Sequence, residues 1–301
     1  MNVEWPGSRL PGPETGESGD STKATSNSGQ SGDVGKIRIS GSTTTAVVFF
    51  GIIVGVWYLI SYWVLADHRQ FLVPPLHQIV HKGFLVAEFR SDLLYASLRT
   101  LEEVSIGLGL AAFLGILFGT LMSQWRWMER AFFPWAIVLQ TMPILAIVPL
   151  VSLWFGRDLM ARVVVVVIIS LFPIITNTLF GLLSVDEPLH DLFTLRGATR
   201  STRLSKLCVP AALPALFTGF RISSGLGVVG AIVGEFFFQK GDQGLGHLLL
   251  KYTKSDGTEF APQLFAAITL CCFIGLSLFS LFTWLGNRIT RNWHETTLRN
   301  M

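Results

Sequence analysis

The chain has 301 residues, 50% of them hydrophobic and only 14% charged, with a mean hydropathy of +0.51. Charges this sparse cannot cover a soluble globule of this size, so the composition excludes one and implies a membrane protein. The net charge of +3 makes no case for a nucleic-acid partner. Cys208, Cys271 and Cys272 show neither metal-ligand spacing nor a loop worth cross-linking.

Residues 6–35 are rich in Gly, Ser, Thr and Pro and nearly free of large apolar side chains. Such a segment cannot bury enough surface to offset its ordering entropy, so residues 1–40 are expected to be a disordered tail. Gly35-Lys36 is not a phosphate-binding loop, because Gln30 stands where a glycine is needed and Ile37 where a hydroxyl is needed. The chain supplies no nucleotide-binding motif elsewhere. The first apolar run, 45–65, reaches the roughly 20 residues a bilayer crossing requires and follows no cleavable-signal pattern, so it is expected to stay as an anchor.

Residues 41–96 combine this span with a segment in which Pro74-Pro75 precede an amphipathic run, Leu76, Ile79, Val80, Phe84 and Leu85. It reads as a helix lying on the outer surface or as a packing strut. His77 and His81 share a helix face but have no third ligand nearby, so no metal site is expected. Five more apolar runs follow at 101–123, 132–155, 163–183, 211–236 and 261–285. Arg99 and Glu103, one helical turn apart at the start of the second span, are expected to pair. Pro143, Pro149 and Pro173 remove backbone donors within spans, and kinked helices of this kind often line pathways. Ser223, Gly227, Gly230 and Gly234 form a small-residue face on the fifth span, and Gly115 and Gly119 do so on the second. Close helix packing and a solute path are the competing accounts of these faces. Glu235 lies near the outer end of the fifth span. Ser, His and Asp are present without any constellation that would make a catalytic site.

The stretch between the fourth and fifth spans is the most informative. Asp186 and Glu187 suit a helix N-terminus, Pro188 suits its first turn, and Gly197 can close it in the left-handed conformation. A short helix is therefore predicted over about 187–196. Leu189, Leu192, Phe193 and Leu195 alternate on it with His190, Asp191 and Thr194, a helical apolar stripe. Arg200, Arg203 and Lys206 follow, then Pro210 and Pro214. Basic residues also flank the first span (Lys23, Lys36, Arg38), the second loop (Arg126, Arg130) and the last span (Arg288, Arg291, Arg299). The alternating segments hold fewer, chiefly Arg69, Lys82, Arg90, Arg157, Arg162, Lys240, Lys251 and Lys254, and this asymmetry predicts both termini and the Asp186 to Lys206 loop in the cytoplasm.

The loop resembles the cytoplasmic EAA loop of the permease subunits of bacterial ATP-binding-cassette importers. Gly197-Ala198 match its Gly-Ala pair, and Pro210 follows Gly197 at the family's spacing, with Val209 in place of leucine. The Glu-Ala-Ala triplet itself stands as Asp191, Leu192 and Phe193. Further matches are Ser97 to Leu101, Gly107 and Gly109, Pro143 to Pro149 with Trp154-Phe155-Gly156, Phe172-Pro173 with Asn177-Thr178, Gly219-Phe220-Arg221, Glu235 and Gly244-Leu245-Gly246. In order and spacing they are similar to the nitrate, sulfonate and taurine branch.

The resemblance implies an all-α polytopic fold of six transmembrane helices with a cytoplasmic coupling helix, the type I importer permease fold. The core domain is expected over 97–290 and a cytoplasmic tail over 291–301. Glu187, Asp191, Leu192, Phe193, Arg196, Gly197, Ala198, Arg200 and Pro210 are expected to couple to an ATPase. Pro143, Asn177, Ser223, Gly227 and Glu235 are the pathway candidates. The implied partners are two cassette ATPases that use the ATP, a second permease subunit, an extracytoplasmic solute-binding protein and the inner-membrane bilayer. No cofactor is expected on this chain, and no enzymatic activity. The solute implied is a sulfonate, nitrate or similar oxyanion, or a vitamin precursor. An ion-gradient-driven transporter would need an ionisable site near mid-span, and none of the runs offers a clear one. An uncoupled membrane scaffold is the other alternative, kept open by Leu192 and Phe193.

Overall fold

A computed structural model describes residues 40–65, 71–255 and 260–294. The tail expected at 1–40 lies outside these residues but for Ser40; of the one expected at 291–301, residues 291–294 belong to the last helix and the rest lie outside. The described chain is helical without strands. Its elements are α1 (Ser40–Leu59, prolonged by a π-helical turn Ile60–Val64), α2 (Leu76–Gln78, continued by π-helical Ile79–Leu85), α3 (Ala87–Gln124), α4 (Arg126–Thr141), α5 (Ile144–Phe155), α6 (Leu159–Leu183), α7 (Glu187–Leu195), α8 (Arg200–Arg203, continued by π-helical Leu204–Cys208), α9 (Val209–Phe237), α10 (Leu245–Lys254) and α11 (Ala261–His294).

Glycines set how the long helices meet. A Cβ on Gly107 would lie 2.5 Å from Val166, one on Gly115 2.6 Å from Ile174, and one on Gly119 2.7 Å from Thr178. Only hydrogen fits there, and because the paired numbers rise together, α3 and α6 run in the same direction. On the other side of α6 the numbers oppose. Gly181 faces Ala212, Gly219 faces Asn177 and Pro173, and Gly230 faces Val166, so α9 is antiparallel to α6. Gly275 facing Val228 and Gly286 facing Phe217 set α11 antiparallel to α9. The small-residue faces of the second and fifth spans are thus packing seams.

A parallel α3 and α6 oblige the chain to return between them, and α4 with α5 make that return. The two are bent by 105° at Met142-Pro143. Pro143 drives its preceding residue to extended backbone, with Met142 at ψ 127°, and α5 begins immediately after it. Ala136 of α4 packs with Ile175 and Leu179 toward the α7 end of α6, whereas Val148 and Val151 of α5 pack with Ala161 and Val165 toward its start. The broken pair therefore traverses the bundle once. Among the described residues five unbroken helices are long and apolar enough to cross a membrane, and this pair, taken as one span, brings the number to six.

The segment after Pro74-Pro75 proves to be the strut rather than a surface-lying helix. Ile79 is buried with Leu93, Tyr252 and Ala266, and Gly83 is pressed against Ala266 of α11. Trp57 Nε1 donates to Pro74 O at 3.0 Å, and its ring meets Phe265 edge-on.

Candidate functional site

At one end of the bundle, α7 and α8 form a jointed rod between α6 and α9. Asp186 leads into α7 with extended backbone and Glu187 occupies its first turn, where negative charge favours the exposed N–H groups. The helix stops at Gly197, whose φ is +70°. Ala198 N donates to Phe193 O and Gly197 N to Thr194 O, both at 2.9 Å, so two of the carbonyls left open at the helix end are satisfied. A Cβ on Gly197 would meet nothing within 4 Å. The glycine is required by its left-handed backbone, not by space. Thr199 then caps α8 by accepting from Thr202 N at 3.2 Å, and Arg203 Nη1 donates to Thr194 Oγ1 at 3.3 Å, tying α8 back to α7. Leu182, Cys208 and Ala212, with Val185 and Leu204 against them, anchor the rod to the ends of α6 and α9. Pro210 stands in the first turn of α9.

The apolar stripe of α7 divides in two. Leu189, Leu192 and Leu195 are 43%, 47% and 86% exposed. Phe193 and His190 are half-buried, whereas Asp191, Arg196 and Arg200 are exposed and Ala198 is half-buried. A row of leucines at a spacing of three residues thus stands exposed on α7.

The pathway candidates do not converge. Pro143 is exposed at the break between α4 and α5. Asn177 is half-buried, with Nδ2 donating to Pro173 O at 2.8 Å. Ser223 Oγ donates to Ser170 O at 2.7 Å inside the α6–α9 seam, and Gly227 packs on Ser170 in the same seam.

Glu235 belongs to a buried polar cluster at the opposite end of the bundle from α7. Its Oε1 accepts from Thr100 Oγ1 at 2.7 Å and its Oε2 from Gly246 N, while Thr100 Oγ1 accepts from Leu245 N at 2.8 Å. Glu235 and Thr100 together therefore hold the first turn of α10. Beside them Arg162 Nη1 lies 2.7 Å from Glu103 Oε1 and donates to Asp242 O at 2.8 Å. Thr100, Glu103, Arg162 and Glu235 are all at most 3% exposed. Gly244-Leu245-Gly246 has its reason here. A Cβ on Gly244 would crowd Thr100 Oγ1 at 2.6 Å, and one on Gly246 would meet Ile232 O at 2.8 Å.

The expected pairing of Arg99 with Glu103 is not formed. Glu103 lies on the buried stripe of α3 with Thr100 and Gly107 and turns to Arg162. Arg99 lies off that stripe and pairs with Glu102 and Asp242, both at 2.8 Å, with its guanidinium over the Tyr95 ring. Arg162 was not among the expected site residues. The available signal was an arginine and two glutamates bordering apolar runs, each needing a partner. On α10, burial, reinforced by Lys251, Arg162 and Lys254, holds the His247 imidazole below its usual range. Among the described residues no cluster of His, Cys, Asp or Glu could hold a metal ion.

Among the described residues, five apolar helices and one bent pair long enough to cross a membrane, with a short rod joining two of them, define a polytopic membrane protein. Residues 111–291 match the family described as binding-protein-dependent transport system inner membrane component, and the chain belongs to it. It is thus a permease subunit of the ATP-binding-cassette importer class, a transport component and not an enzyme. It is 34% identical over 242 residues to the formylaminopyrimidine transport permease protein ThiX of Halalkalibacterium halodurans, covering 80% of this chain and 92% of that one. Over 193 residues it is 28% identical to the nitrate import permease protein NrtB of Synechococcus elongatus, covering 64% and 68%. Its fold matches a chain of the inward-facing MetNI methionine ABC transporter with a TM-score of 0.53 at 19% identity, covering 66% of this chain and 95% of that one.

Proposed function

We propose that this chain carries a small solute across a bacterial inner membrane, driven by separate ATPase subunits that grip α7 from the cytoplasm. The observation that carries the reading is the free leucine row on a rod stopped at Gly197 and anchored to two spans. Leu189, Leu192 and Leu195 would enter a groove on one cassette ATPase, with Asp191 and Arg196 setting orientation through charged partners. A second permease subunit would present its own α7 to the other ATPase. Closure of the ATPase pair then moves both rods as levers and switches the pathway between its two openings. ATP is consumed by the partner, and this chain binds no cofactor. An extracytoplasmic binding protein delivers the solute to the α10 end, and both chain termini lie in the cytoplasm.

The names of the relatives guide the solute class: a sulfonate, nitrate or similar oxyanion, or a vitamin precursor such as a formylaminopyrimidine. The test is uptake by the full complex reconstituted in vesicles. Uptake that requires ATP and the ATPase is expected. Uptake that continues without the ATPase and collapses with the proton gradient would overturn the reading.

A further inference from the structure

We propose that a cavity behind the coupling rod is a phosphate-binding site, filled by the headgroup of an anionic membrane lipid. The cavity, about 240 Å³, opens between Gln124 at the end of α3, Leu183 at the end of α6, His190 of α7, and Arg200, Arg203 and Leu204 of the α8 segment. Two guanidinium groups one turn apart and an imidazole border one space, and no carboxylate lines it. None of the ion pairs among the described residues involves these groups. Arg203 reaches Thr194 Oγ1 at 3.3 Å, a neutral acceptor that leaves its charge uncompensated. Adjacent like charges repel, and an anion between them removes that cost while using the planar donor fork of arginine.

Position selects the source of the phosphate. The cavity sits where α3 and α6 end, at the depth where apolar helices leave the hydrocarbon, and basic pockets between helices at this level suit lipid headgroups. Leu183, 50% exposed at its edge, offers an apolar surface to an acyl chain. His190 and Phe193 are the half-buried side of α7, so the cavity lies behind the leucine row offered to the ATPase. A lipid held there would wedge the rod against the bundle. The inference needs α7 at a membrane surface, but it does not need the solute or the ATPase contact to be as proposed.

The experiment uses the full complex and counts phosphatidylglycerol molecules retained through purification by native mass spectrometry. Wild type is expected to retain the lipid, and Arg203→Gln to bind it on the order of tenfold more weakly, the loss of a charge-assisted contact. Lys206→Gln, a basic change in the same segment but away from the cavity, is expected to retain it. If Arg203→Gln does not assemble, His190→Gln gives the same readout. A second arm titrates inorganic phosphate. Thermal stabilisation by phosphate that is lost in Arg203→Gln, with no lipid retained, would support the phosphate site and assign a free anion as its source. Equal lipid retention and equal phosphate response in wild type and Arg203→Gln would overturn the proposal. So would a cross-link placing an ATPase carboxylate in the cavity.

Discussion

Gly197 and Arg162 represent two ways a single residue controls this fold. At Gly197 a side chain has room, so any effect of substitution comes from the backbone, where a left-handed conformation costs an ordinary L-residue about 1–2 kcal/mol. Gly197→Asn should therefore keep ATP hydrolysis coupled to uptake, because asparagine tolerates that region. Gly197→Val should hydrolyse ATP with little uptake, and comparing the two ratios in vesicles checks it. Full coupled uptake by the valine variant would count against the rod as a rigid lever. At Arg162 the cause is charge. Its removal leaves Glu103 unpaired in the interior, and breaking such a pair costs about 3–5 kcal/mol. Arg99→Ala, by contrast, breaks solvent-screened pairs with Glu102 and Asp242, whose side chains are 45% and 58% exposed, and should cost far less than loss of the buried pair. Thermal unfolding of the detergent-solubilised variants separates them, and similar losses for both would contradict the assignment of the buried pair.

At the scale of elements, α7 has one side already committed to its own chain. Phe193 and His190 are half-buried, and the leucine row remains for a partner. The large residues that replace the family's alanines therefore differ in exposure: Phe193 is half-buried, and Leu192 is 47% exposed. Leu192→Asp should weaken ATPase association by at least about 2 kcal/mol, a factor of about thirty, because it removes an apolar contact and buries a charge. Co-purification at fixed detergent and salt measures this, and unchanged association would remove the leucine row from the joint. At the other end, α10 is held through its backbone by Glu235 and Thr100 and through the preceding loop by Arg162. Three spans thus converge on one loop, which ties the end of the bundle opposite α7 to α3, α6 and α9 together.

In the whole molecule the parallel run of α3 and α6 makes the broken α4–α5 pair a crossing, and an even number of crossings puts α7 and the C-terminal end of α11 on one side. A topology prediction follows. In a background freed of Cys208, Cys271 and Cys272, Gln243→Cys should react with a membrane-impermeant thiol reagent from outside the cell. Leu195→Cys should react only after permeabilisation. Labelling of Leu195→Cys in intact cells would place the rod outside and end the coupling interpretation.

How much of this was legible in the residue order depends on the range of each cause. The six crossings follow from the length of apolar runs, and the α7 stop follows from a glycine whose backbone angle is a local matter, so both could be read directly. Pro143 announced a kink, but whether the two halves formed one crossing depended on α3 and α6 being parallel, a relation between helices far apart in the chain. The ion pairs were the least legible. Arg99 and Glu103 are neighbours on one helix, yet rotation of α3 against α6 sent Glu103 to a base nearly sixty positions away. Hydrophobic length and backbone strain act within a few residues and survive in any context. The partner of a buried charge is set by which helix faces meet, and that exists only once the bundle has packed.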